Sequence, residues 1–109
     1  MLVDVDDEKV KFAVNAGVKC INSTKEDILK AWKEYSGQNH CNAAIEGTGF
    51  GSALGSCIEA VGHHATVVLM GTPGADTQIK QSQHGLILRK ELIIKGIWNS
   101  YFKAKEIDE

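Results

Sequence analysis

Any chemistry in this sequence has to start from a small set of residues. Gly47-Thr48-Gly49-Phe50-Gly51-Ser52 is a glycine-rich turn between an apolar run and a helical stripe. A strand–turn–helix of this kind cradles a dinucleotide pyrophosphate when it reads G-x-G-x-x-G/A, because the glycines let phosphate approach the N–H groups at the helix start. Here Ser52 takes the third place if the count starts at Gly47, and the bulky Leu54 takes it if the count starts at Gly49. The acid that should end the next strand is missing as well. That strand closes as Leu69-Met70-Gly71-Thr72, with no acid before Asp76. The turn is expected to line a cleft instead. Asp4 is better placed, ending one apolar run just before a helix start. An acid there can hold ribose hydroxyls and favours NAD over NADP, since a 2′-phosphate would meet like charge. The alternative is a turn or cap residue, a task for which Asp6 and Asp7 compete.

Metal-ligand types are present at His40-Cys41, Cys57, His63-His64 and His84. Both histidine-bearing pairs precede strands, which puts them at the strands' N-terminal edge, opposite a ligand cleft in a parallel sheet. Cys57 falls on a core stripe, where a thiol is usually buried and inert. No functional metal site is expected beyond an adventitious one at His63-His64.

These residues need elements to position them. Leu2-Val3, ending at Asp4, reads as a strand. Asp6-Asp7-Glu8 offers an N-cap and two first-turn acids to a helix carrying Val10, Ala13 and Val14, with Gly17 as its stop. A strand over 18–22 follows. Ser23-x-x-Glu26 then reads as a capping box for a helix with Ile28, Ala31, Trp32 and Tyr35 on one stripe, ended by Gly37. The second half repeats the rhythm: a strand over 42–45, the glycine turn, and a stripe of Leu54, Cys57, Ile58 and Val61 closed by Gly62. Residues 65–70 form a continuous apolar run, the mark of a strand covered on both faces. A helix over about 81–90 and a strand over 92–98 complete the alternation. Strand–helix alternation with short connections argues one α/β domain with a parallel sheet.

The chain is 109 residues, 43% hydrophobic and 24% charged, enough for a single domain with its own core. A net charge of -2, with twelve basic and fourteen acidic residues interspersed, gives no general pull toward nucleic acid or acidic lipid. No apolar run approaches a membrane span, and the acidic N-terminus does not read as a secretory signal. Cys20, Cys41 and Cys57 are odd in number and widely spaced, which fits a reduced, cytoplasmic protein.

Several blocks together resemble a known family. They are Val3-Asp4-Val5-Asp6-Asp7-Glu8-Lys9, Ala16-Gly17-Val18, Ile21-Asn22-Ser23, Ala44-Ile45-Glu46, the run from Val67 to Gly74, and the run from Ile87 to Ser100. Their order and spacing resemble the coenzyme domain of the zinc-dependent medium-chain alcohol dehydrogenases, in the polyol branch. The block Leu88-Arg89-Lys90-Glu91-Leu92 with Lys95-Gly96-Ile97-Trp98-Asn99-Ser100-Tyr101 is most similar to galactitol-1-phosphate 5-dehydrogenases, with sorbitol dehydrogenases close behind.

The resemblance implies a Rossmann-like three-layer parallel sheet of about five strands, lacking the first strand and helix. Residues 1–101 would be a partial NAD(P)-binding domain and 102–109 a polar tail. It implies that Asp4 binds the adenosine ribose, with Lys9 beside it. Gly47 and Thr48 would lie near the nicotinamide ribose. Met70, Gly71 and Thr72 would run along the nicotinamide, and Ile97, Trp98 and Asn99 would meet its carboxamide. For Lys9 and Thr48 the alternatives are an exposed helix lysine and a turn threonine. NAD would be the cofactor, with zinc in the intact parent only.

The upstream pyrophosphate loop and a zinc-bearing catalytic domain would precede Met1, so the chain reads as a dehydrogenase fragment without catalytic residues of its own. The parent reaction would oxidise a secondary alcohol to a ketone, with hydride passing to NAD. The family's sheet order puts the absent strand between the first and third strands here. The gap closes directly, as 2-1-3-4-5, or a second copy fills it. A homodimer is expected, through Leu92–Trp98 or those central edges, and an upstream catalytic fragment is a further candidate partner. An inactive nucleotide-binding or dimerisation module is the alternative.

Overall fold

A computed structural model describes residues 1–98. These divide into two compact units, Met1–His40 and a second that begins at Cys41. The first contains β1 (Leu2–Asp4), α1 (Asp7–Asn15), β2 (Cys20–Asn22) and α2 (Ile28–Ser36). The second contains β3 (Cys41–Glu46), α3 (Ala53–Ala60), β4 (Val61–Leu69), α4 (Gln81–Arg89) and β5 (Ile93–Gly96). The strand–helix alternation read from sequence is present throughout.

In the first unit β1 and β2 pair in parallel, with Asp4 opposite Asn22. Asp6 caps α1 by accepting the Glu8 N–H at 2.9 Å, and Asp7 and Glu8 supply first-turn acids. Beyond the C-cap Ala16, Gly17 takes the left-handed conformation at φ +87° that favours glycine. The expected capping box at Ser23 and Glu26 does not form. Asn22 captures the N–H groups first: its side-chain oxygen accepts from Thr24, and its backbone carbonyl accepts from Lys25 and Glu26. The helix starts later, with Asp27 accepting the Lys30 N–H at 2.9 Å.

The second unit holds a parallel sheet in the order β3-β4-β5. Its core is Val61, Ala65 and Val67, packed by Cys41, Ala44, Leu54, Cys57 and Leu92, with Ile58 also fully buried. Val61 was expected on the helical stripe and Gly62 as its stop. Instead α3 ends at Ala60 and β4 begins at once. The reason lies in Lys90, whose buried ammonium donates to the carbonyls of Ile58 (3.0 Å), Glu59 (3.3 Å) and Val61 (2.7 Å). Carbonyls orphaned by the helix end thus gain a cation, which the helix dipole also favours. β4 therefore runs from Val61 rather than Ala65, with a register irregularity between the pairs Cys41–Val61 and Ala43–Thr66. His64 sits in that irregular stretch at φ +60°.

The single sheet of about five strands resolves into a two-stranded and a three-stranded one. The first unit holds the pair β1-β2 and the second the order β3-β4-β5. β2 and β5 are also shorter than read, at Cys20–Asn22 and Ile93–Gly96, although the Ile97 N–H still bonds to Leu69 O at 3.0 Å.

Candidate cofactor-binding site

Each unit presents loops at the C-terminal ends of its parallel strands, where open α/β sheets bind ligands. In the first unit the β1–α1 turn carries Asp4. Its Oδ1 accepts the N–H groups of Val5 (2.7 Å) and Asp6 (3.0 Å), so the carboxylate is held in one orientation. Among the described residues Oδ2 has no partner. Asp4 thus takes the turn role that its position suggested, with Oδ1 organising the β1–α1 turn. Lys9 stands exposed on α1.

In the second unit the loops after β3 and β4 meet, and Glu46 joins them. Its carboxylate, buried at 6% exposure, accepts from Thr48 N (2.7 Å), Thr48 Oγ1 (2.6 Å) and Gly49 N (3.0 Å). Its backbone carbonyl accepts from Met70 N (2.9 Å) and Gly71 N (3.0 Å). Burial pushes the Glu46 pKa up, but the bonds from Thr48 and Gly49 outweigh it and hold the carboxyl below its ordinary range. These N–H groups would be the donors of a phosphate cradle, and an internal carboxylate already occupies them. The glycine turn is thus a closed structural element.

Two glycines allow this approach. Gly49 lies at φ +75°, and a Cβ there would collide with the Thr72 carbonyl. A Cβ on Gly71 would run into the backbone of Gly47, Thr48 and Gly49. Gly47, Thr48, Met70, Gly71 and Thr72 are therefore brought to one rim, with Met70 at 43% exposure. Beneath it lies a cavity of about 100 Å³ lined by residues including Glu46, Phe50, Leu54, Leu69 and Pro73. Ile97 reaches the rim through its bond to Leu69, and Trp98 follows it, exposed. Asn99 lies outside the described residues. A wider, open depression of about 490 Å³ runs along α4 beside His84 and Arg89 and includes none of the rim residues.

The described residues do not fit a metal ion. No three His, Cys, Asp or Glu side chains among them gather closely enough to hold one. Burial pushes the Cys57 thiol up to about 11, helped by Glu46 and Cys41, and it also raises Cys41. Both thiols therefore stay protonated near neutral pH. His64 pairs with Glu91 at 3.3 Å. No zinc-dependent step is derived from these residues.

Three polar residues escaped the sequence reading: Glu46, Asn22 and Lys90. Each is buried, and each bonds to backbone groups of its own unit. All three stand within the matched blocks, but no local spacing announces their partners.

Comparison with known proteins agrees with this geometry. The family model described as "Zinc-binding dehydrogenase" matches residues 1–108. An L-threonine 3-dehydrogenase of Shewanella woodyi is 29% identical over 99 residues, covering 90% of this chain and 28% of the relative. The solved galactitol-1-phosphate dehydrogenase of Escherichia coli superposes with a TM-score of 0.73 at 28% identity, over 88% of this chain and 28% of that one. A short chain alcohol dehydrogenase of Escherichia coli, complexed with NADH, shares the fold with a TM-score of 0.66 at 24% identity, over 86% of this chain and 27% of that one. The chain thus spans little more than a quarter of the length of the relatives it matches. With the strand–helix order, the Asp4 turn and a match along nearly its whole length, this chain belongs to the zinc-binding dehydrogenase family.

Proposed function

We propose that this chain supplies part of the NAD(H)-binding domain of a zinc-dependent dehydrogenase that oxidises a secondary alcohol to a ketone. The observation that carries the reading is Asp4. It stands at the C-terminal end of a parallel strand, with Oδ1 locked by two backbone N–H groups and Oδ2 free to accept ribose hydroxyls. A carboxylate there opposes a 2′-phosphate by like charge, so NAD(H) is favoured over NADP(H). Lys9 would lie beside the same ribose. The rim of Gly47, Thr48, Met70, Gly71 and Thr72, with Ile97, Trp98 and Asn99, would face the nicotinamide half. The bound nucleotide supplies a hydride acceptor; the chain's own residues bind and orient it.

On substrate, the sequence blocks and the 28% identity to a galactitol-1-phosphate dehydrogenase support a polyol or sugar phosphate. The curated relatives named L-threonine 3-dehydrogenase, at 26–29% identity, favour an amino-acid alcohol as the second reading. Assembly as a homodimer through residues 92–98 is in keeping with β5 being the outer strand of its sheet, with Ile93 57% and Trp98 63% exposed. Among the described residues no helix is long and apolar enough to cross a membrane. Three free cysteines favour a cytoplasmic location.

The test is an NADH fluorescence titration of the chain and of Asp4→Ala. Saturable binding that Asp4→Ala weakens supports the reading. Absence of saturation up to several millimolar leaves only the alternative of an assembly module without nucleotide, and saturable binding indifferent to Asp4→Ala overturns the role of Asp4. Activity gained on mixing with an upstream catalytic fragment would assign the chain to a split enzyme.

A further inference from the structure

We infer that Asn22 is a positioning residue for the nucleotide subsite: its carboxamide holds the β1–α1 turn whose Val5 and Asp6 N–H groups fix where the Asp4 carboxylate stands. This rests on the proposed role of Asp4. Asn22 ends β2, beside Asp4 in the ladder, and is buried at 6% exposure. Its side chain has capacity for two donated and two accepted bonds, and all four are made. Nδ2 donates to the Val5 carbonyl (3.2 Å) and to Asp7 Oδ1 (2.8 Å). Oδ1 accepts from Thr24 N (2.9 Å) and Thr24 Oγ1 (2.6 Å). The backbone partners fix which end is which, because Val5 offers only an acceptor and Thr24 N only a donor.

The two halves of the carboxamide thus have separate duties. The oxygen shapes the loop that leads to α2. The nitrogen reaches sideways and ties down residues 5 and 7, on either side of Asp6. The peptide N–H groups of Val5 and Asp6 are the ones that hold Asp4 Oδ1. Asp7, gripped by Asn22, also takes the Lys25 ammonium at 2.6 Å. These two bonds lower the Asp7 pKa, that from Lys25 first and that from Asn22 second, so Asp7 stays an acceptor near neutrality. Without the Asn22 nitrogen, the Val5 carbonyl loses its bond from β2, and the Val5 and Asp6 N–H groups that orient the Asp4 carboxylate are held less firmly, while the ladder and the Ser23 N–H bond to Asp4 O keep the strand in register.

Asn22→Asp separates the duties, since it is isosteric and keeps the acceptor for Thr24 but loses the donor to Val5 and Asp7. Thr24→Val is the control, weakening the other half alone. The experiment measures NAD⁺ binding and amide hydrogen exchange of Val5 and Asp6 in the full chain, for wild type, Asn22→Asp, Thr24→Val and Asp4→Ala. Asn22→Asp should weaken NAD⁺ about tenfold, the scale of one lost charge-assisted hydrogen bond, and speed exchange at both amides. Thr24→Val should change affinity less than about threefold, the scale of one weak hydrogen bond. Lowering the pH toward 5 should restore Asn22→Asp in part, because protonation of the introduced carboxyl, promoted by neighbouring Asp4, Asp6 and Asp7, returns a donor. A simply misfolded variant would show no such rescue. Wild-type affinity and exchange in Asn22→Asp, with Asp4→Ala weakened, would overturn the positioning role and leave the Asp4 reading standing. Equal, Thr24-like loss without acid rescue would reduce Asn22 to a loop residue. Undiminished binding by Asp4→Ala would overturn the ribose reading, and any nucleotide role for Asn22 with it.

Discussion

Glu46→Gln should destabilise the second unit by about 2 kcal/mol at neutral pH. A hydrogen bond to a charged acceptor contributes about 1.5–3 kcal/mol and a neutral one about 0.5–1.5 kcal/mol. Two of the bonds to the Glu46 carboxylate are short, from Thr48 N at 2.7 Å and Thr48 Oγ1 at 2.6 Å. Each loses about 1 kcal/mol when the acceptor becomes neutral. The bond from Gly49 adds little, since its N–H straddles both oxygens at 3.0 and 3.2 Å and keeps the nearer one as acceptor when the farther is replaced by the amide NH2. The folded carboxyl has its pKa held below the ordinary 4.5, so its stabilisation is complete above that value. It fades as pH falls through the depressed folded value. Urea unfolding followed by circular dichroism at about pH 7 and about pH 3.5 would read both effects. The wild type should lose stability in acid more steeply than Glu46→Gln, and the two should converge at low pH. A neutral-pH difference under about 0.5 kcal/mol, or parallel acid profiles, would refute the view that this carboxylate holds the loops.

Gly71→Ala should destabilise by about 2 kcal/mol or more, because the new methyl meets the rigid backbone of Gly47–Gly49; a urea midpoint equal to wild type would contradict the close approach. Lys90→Met should cost roughly 3 kcal/mol by stripping three carbonyls at the end of α3 of their donor, and hydrogen exchange should rise first over residues 53–61. With its pKa raised to about 11, Cys57 should react with iodoacetamide at pH 8 about 100-fold more slowly than a free thiol, as peptide mapping by mass spectrometry would show.

What the sequence revealed was what short-range rules govern. Asp6 as an N-cap and Gly17 and Gly37 as helix stops depend on neighbours a few residues away, and all three are found in those roles. Asp4 was legible because a strand end next to a helix start is itself a local pattern. The capping box at Ser23 failed because Asn22, just outside it, took the N–H groups such a box would need. The end of α3 was misplaced by one stripe position because Lys90, about thirty residues downstream, decides it. Glu46 was visible only as part of a matched block; that its side chain fills the glycine turn required knowing that the turn folds back on its own strand end. The lengths of the strands were the hardest to read, since ladder formation depends on partner edges that no local periodicity describes.

The most direct measurement is a titration of the ¹⁵N-labelled chain with NAD⁺, followed amide by amide. Saturable shifts should appear at residues 4–9, in the turn held by Asp4 and Asn22, and at 47–48 and 70–72 along the rim organised by Glu46. NADP⁺ should give weaker shifts at 4–9 because its 2′-phosphate meets the Asp4 carboxylate. No saturable shift, or shifts confined to residues away from both strand ends, would contradict the assignment of this chain to nucleotide binding.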